Sequence, residues 1–108
     1  VGFFVYMLRC GDGSYYTGHT DNLGSRMAAH DAGEILGYSR DRRPVTLVYS
    51  ERFSTRVEAL GFERRIKRWS RRKKRALIRG DWDLLQRLAR GGGATGSPLT
   101  NLNPRDLF

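Results

Sequence analysis

The chain has 108 residues, enough for one domain with a single modest core. Twenty Lys and Arg against eleven Asp and Glu leave a net charge of +9, which points to a polyanionic partner, either nucleic acid or an acidic membrane surface. One cysteine, Cys10, excludes an internal disulfide and fits a reducing compartment; with only His19 and His30 to join it, there is no ligand set for structural zinc.

The first strand is expected over residues 3–9 and the second over 15–19. Between them Gly11-Asp12-Gly13-Ser14 supplies residues that tolerate positive φ, so the two apolar, aromatic runs read as a hairpin. The apolar opening lacks a basic leader and a small-residue cleavage site, so it reads as a strand rather than a signal peptide, and the protein as soluble and cytoplasmic. Tyr6 and Tyr16 sit on the two arms, where strand pairing can bring both hydroxyls to one end of the sheet. The preference of strands for tyrosine accounts for them equally well.

Thr20 and Asp21 offer caps for a helix with apolar Leu23, Met27 and Ala28, ending near Gly33. Arg26 and His30 share the face of Leu23, which is expected to pack on the sheet. The structural alternative is that they flank the stripe, with Arg26 reaching out to solvent. Residues 34–44 read as a loop carrying Tyr38, Arg40, Arg42 and Arg43 and closing at Pro44, and a β-branched run over 45–50 as the third strand. Ser54 is expected to cap a helix over 55–68 with Ala59, Leu60, Phe62 and Ile66 turned inward. Glu63 falls among them. A carboxylate beside a buried stripe needs a cation, either a metal or one of the many neighbouring arginines.

Residues 64–75 carry nine cations, as many as the whole net charge. A run this dense is more than a solvated face, and phosphate contact is the economical explanation. Within and after it, Trp69 is expected in the core and Ser70 caps a helix that ends at Gly80. Asp81 caps a last amphipathic helix with Trp82, Leu85, Leu88 and Ala89 on one side. The Gly-, Ser-, Pro- and Asn-rich remainder divides the chain into a domain over 1–90 and a mobile tail over 91–108.

These residues resemble the GIY-YIG nucleases. The first signature triplet stands as Phe4-Val5-Tyr6 and the second as Tyr16-Thr17-Gly18; Phe4 replaces the family's first glycine and Thr17 its central isoleucine. The family's helix arginine falls on Arg26, its histidine on His30 and its metal-binding glutamate on Glu63. Small stand-alone bacterial members share the segments over 12–18, 42–49 and 66–74, and the likeness runs from Phe3 to Leu88. It implies an α+β fold, a small three-stranded antiparallel sheet flanked by about four helices. It also implies a divalent-metal-dependent endo- or exonuclease acting on phosphodiester bonds of DNA rather than RNA, in repair or recombination, as a monomer and away from membranes.

Under that resemblance Tyr6, Tyr16, Arg26, His30 and Glu63 are the catalytic set. Glu63 would hold Mg²⁺ or Mn²⁺, hard ions that keep several waters and need few protein ligands. Arg26 offers a permanently charged fork to the non-bridging phosphate oxygens. Tyr6 is the family's favoured base toward water, although a phenol starts near pKa ~10 and needs help; His30, with a better-suited pKa, is the alternative base. Otherwise Tyr16 and His30 would orient water, phosphate or Tyr6. Gly18 would turn the backbone beside the site. Arg40, Arg42, Arg43, Arg64, Lys67, Arg68, Arg71, Arg72, Lys73 and Lys74 would hold the phosphate backbone without reading sequence, and Tyr38 offers a single aromatic for stacking on an unpaired base. Two other readings compete: a non-catalytic DNA- or RNA-binding module of the same fold, and a peripheral membrane or protein-interaction domain. The second accounts for the charge but not for the tyrosines.

Overall fold

The computed structural model describes residues 2–35 and 37–89. The 91–108 tail lies outside them. The described chain runs β1 (Phe3–Arg9), β2 (Tyr15–Thr20), α1 (Leu23–Asp31), a 3₁₀ turn (Arg40–Arg42), β3 (Thr46–Phe53), α2 (Arg56–Lys67), α3 (Arg71–Arg79) and α4 (Trp82–Ala89). It divides into two compact units, the first ending at Lys67 and the second beginning at Arg68.

In the first unit the strands form an antiparallel sheet in the order β2-β1-β3. β1 takes the middle because it is apolar on both faces: Val5, Tyr6, Met7 and Leu8 are all buried. The β1–β2 turn forms as its residues require. Gly13 adopts φ +86°, and Asp12 accepts hydrogen bonds from the Ser14 amide (3.0 Å) and hydroxyl (2.5 Å). β3 extends three residues beyond the expected strand, because Glu51, Arg52 and Phe53 pair with Val5, Phe4 and Phe3. Charged residues on the pleat hid the alternation there. A register shift opposite Met7 and Leu8 leaves Val48 as the extra residue.

Helix α2 packs on the sheet through Ala59, Phe62 and Ile66, with the Phe62 ring 5.3 Å from Phe53. Leu60 is only half-buried. Its cap is Thr55 rather than Ser54: the Thr55 hydroxyl accepts from the Glu58 amide (3.2 Å) and donates to the Glu58 carboxylate (3.1 Å). Asn22 rather than Thr20 or Asp21 caps α1, accepting from the Ser25 amide (3.0 Å). His30 is the one fully buried residue of α1, so this helix presents a polar group to the interior where an apolar stripe is usual.

In the second unit α3 runs from its Ser70 cap to Gly80, which takes φ +69° and ends the helix in a left-handed cap. The Asp81 carboxylate accepts from the Leu84 amide (3.2 Å), starting α4 against α3. Ala76, Leu77, Leu84 and Leu85 are buried. Trp69 is half-buried, against the expectation that it belongs to the core; on α4 the buried residues are Leu84 and Leu85, and Trp82, expected on the side of Leu85, is exposed.

Candidate active site

Tyr6 stands in the middle of β1, directly paired with Gly18. A β-carbon at position 18 would lie 2.6 Å from Tyr6 Oη and 2.8 Å from its Cζ. Gly18 is therefore glycine to admit the Tyr6 phenol. It lies inside β2 and makes no turn, which corrects the reading of it as a strand-to-loop residue.

Tyr6 Oη sits 2.8 Å from His30 Nε2, and His30 Nδ1 sits 2.8 Å from Ser39 Oγ. All three residues are at most 1 % exposed, so these groups are one another's hydrogen-bond partners in the interior. The Tyr16 ring stands edge-on to His30 (5.3 Å) and 6.3 Å from Tyr6. Two tyrosines and a histidine thus pack as one aromatic cluster between the hairpin and α1. Burial, then the neighbouring Tyr16 phenol, raises the Tyr6 hydroxyl well above the ordinary phenol range. The Arg26 charge opposes this and the Glu63 charge adds to it. Burial also lowers His30, with Arg26 acting in the same direction and Asp31 against it, so the buried imidazole is a neutral base. Arg26 itself is half-buried and lines a hollow of about 360 Å³ with Asn22, Ser25 and Ala29.

Side chains alternate along β2, so His19 leaves the face shared by Tyr16 and Gly18. It meets Glu63 of α2, with Nδ1 hydrogen-bonded to Glu63 Oε1. The other carboxylate oxygen is 2.8 Å from Lys67 Nζ, one turn along the helix. Glu63 is buried and held by two nitrogen donors, and its charge reaches Tyr6. The fold therefore brings Tyr6, Tyr16 and His30 into contact and sets the charges of Arg26 and Glu63 on the same phenol. His19 and Ser39 are additions that sequence reading missed. The alternation of β2 pointed to His19, a titratable residue on the α2 face; nothing local marked Ser39.

The predicted phosphate-binding cations divide by what they touch. Arg42 bonds Asp12 (3.1 Å), donates to the Tyr38 carbonyl (3.0 Å) and covers the Tyr38 ring at 3.7 Å. Arg43 donates to the carbonyls of Arg40 (3.0 Å) and Asp31 (3.4 Å), so both arginines shape the loop. Tyr38 stacks on Tyr16 at 6.4 Å, which takes it away from the single-aromatic role. Lys67 pairs with Glu63. Lys73 covers the Trp69 ring at 4.3 Å, and burial lowers the pKa of both Lys73 and Lys74. Arg40, Arg64, Arg68, Arg71 and Arg72 are exposed.

A family model described as the GIY-YIG catalytic domain matches residues 2–76. A UPF0213 protein of Staphylococcus haemolyticus is 47% identical over 75 residues, covering 69% of this chain and 92% of the relative. One from Halobacterium salinarum is 48% identical over 74 residues, covering 68% and 96%. The solution NMR structure of an E. faecalis protein superposes with a TM-score of 0.54 at 33% identity, covering 76% of this chain and 88% of that one. No helix among the described residues is long and apolar enough to cross a membrane.

Proposed function

The chain belongs to the GIY-YIG family, and on that premise we propose that it is a nuclease hydrolysing phosphodiester bonds, of DNA ahead of RNA, with Mg²⁺ or Mn²⁺ at Glu63. The observation that carries this reading is the buried Tyr6–His30 hydrogen bond, on which the opposite charges of Arg26 and Glu63 act. A phenol raised in this way does not ionise alone at neutral pH. It serves as a base only by passing its proton on, and His30 Nε2 is placed to accept it.

In this reading an attacking water gives a proton to Tyr6 Oη while the phenolic proton moves to His30 Nε2. The water oxygen bonds phosphorus, the bond to the leaving sugar oxygen breaks, and that oxygen takes a proton from solvent. His30 later returns its proton to solvent. Arg26 presents its guanidinium to the non-bridging oxygens, where negative charge grows. The roles of Tyr6 and His30, open as alternatives in the sequence, become two steps of one transfer.

Glu63 fits a hard divalent cation. It is a buried carboxylate, and Lys67, half-exposed on a flexible stem, can release Oε2. Mg²⁺ and Mn²⁺ keep several waters and need few protein ligands, so a single carboxylate can anchor such an ion. Such an ion would stabilise charge on the phosphoryl oxygens. The exposed Arg64 would hold the backbone flanking the site, and the exposed arginines of the second unit, such as Arg72, would add contacts to phosphate.

The test is cleavage of labelled single-stranded, duplex and branched DNA with Mg²⁺, Mn²⁺ or EDTA, beside Glu63→Ala. Metal-dependent cutting by the wild type and none by the variant, with binding retained, is the expected result. Tight binding without cutting under every condition would overturn the enzyme reading in favour of a binding module.

A further inference from the structure

We propose that Ser39 is a positioning residue: its hydroxyl accepts the Nδ1–H of His30 and so fixes the tautomer whose Nε2 lone pair faces Tyr6. The geometry starts from Ser39 itself. It occupies the N-cap position of the 3₁₀ turn Arg40–Arg42, where a serine hydroxyl ordinarily bonds a backbone amide, yet it makes no capping bond. It is 1 % exposed, and its Oγ lies 2.8 Å from His30 Nδ1 instead.

A neutral imidazole has one donor and one acceptor nitrogen, so its two partners decide between tautomers. Tyr6 and Ser39 are both hydroxyls and compete for the acceptor nitrogen. Even raised by burial, a phenol stays more acidic than an aliphatic hydroxyl and is the better donor, so Tyr6 O–H donates to Nε2 and Ser39 Oγ accepts from Nδ1–H. The arrangement also suits the protonated state, in which both ring nitrogens are donors and Ser39 keeps its bond. The remaining groups facing the ring are Tyr16 from β2 and the charges of Arg26 and Asp31 on its own helix. Among the described residues Ser39 is the hydrogen-bond partner of Nδ1.

The tautomer assignment stands on geometry; its catalytic meaning rests on the nuclease reading. Two measurements keep them apart. The first is side-chain ¹⁵N NMR of the full chain without substrate. Wild-type His30 is expected to show a protonated Nδ1 and an unprotonated Nε2, and Ser39→Ala to lose that preference while Ser39→Thr keeps it. A wild-type His30 protonated on Nε2, or an unchanged tautomer in Ser39→Ala, overturns the proposal. The wild-type spectrum decides even where Ser39→Ala does not fold.

The second measurement is cleavage. Ser39→Ala is expected to lower kcat roughly tenfold with KM unchanged, as for one lost hydrogen bond made in the transition state, and Ser39→Thr to restore it. An equal kcat in Ser39→Ala overturns the positioning role. Absent cleavage by wild type with the expected tautomer overturns the nuclease reading and supports the Ser39 assignment.

Discussion

Gly18→Ala is the smallest change that tests how the sheet holds Tyr6. The new methyl would sit 2.6 Å from Tyr6 Oη, 2.8 Å from Cζ and 3.2 Å from Tyr16 Cε2. The Tyr6 ring has no space to retreat, since it is buried against His30 and Tyr16. Overfilling a packed site of this kind costs about 1–3 kcal/mol. Gly18 does not use a left-handed backbone, so alanine recovers about 0.4–1 kcal/mol through the less flexible unfolded chain. The net expectation is a loss of about 1–2 kcal/mol, read from the midpoint of urea unfolding at constant slope. Cleavage should fall further than stability does, because a phenol displaced by about half an ångström no longer meets His30 Nε2 at 2.8 Å. Tyr6→Phe removes the atom in closest conflict, so adding Gly18→Ala to Tyr6→Phe should cost less than adding it to wild type. Equal costs in both backgrounds, or a Gly18→Ala variant as stable and active as wild type, would refute the claim that Gly18 makes room for the phenol.

The pH dependence of stability offers another check. The pKa of His30 is lowered in the folded protein, so on acidification the unfolded chain takes up that proton first. Its contribution is complete above about pH 6.5 and is lost as pH falls from there toward the lower folded value, so His30→Gln should flatten the slope of the urea midpoint between about pH 7 and 5. Identical slopes would show that His30 is not held neutral. The arginines should separate by role. Arg42→Ala is expected to cost about 1 kcal/mol of stability and leave the salt dependence of duplex binding unchanged. Arg72→Ala should leave stability alone and reduce the salt slope by about 0.9. The reverse pattern would reassign both.

Much of this could be read from the residues. The hairpin was legible because Asp12 and Gly13 can make only a few turns, and α3 because a serine and a glycine bracket it. Tyr6, Tyr16 and His30 were legible as a set only through their spacing in a known family pattern. What escaped were features made by contacts distant in sequence. The contact between His19 and Glu63 joins residues far apart in the chain, and Ser39 reads as an ordinary loop serine until the fold places it on His30. The arginines of the loop read as phosphate ligands because composition shows charge and not its partners; Asp12 lies thirty residues from Arg42. The caps at Thr55 and Asn22 were misplaced by one or two positions, where several adjacent residues can cap equally well.

The contacts from Asp12 through Arg42 and Tyr38 to Tyr16 form a strut between the tip of the hairpin and the aromatic cluster. The Gly11 amide, bonded to the Arg42 carbonyl at 2.7 Å, fastens the same corner through the backbone. Hairpin tip and loop are therefore tied at two points, one through side chains and one through the backbone, so that opening either strains the other. Removing the Asp12 carboxylate from the hairpin tip would therefore slacken the loop that holds Tyr38 against Tyr16, although Asp12 touches neither ring.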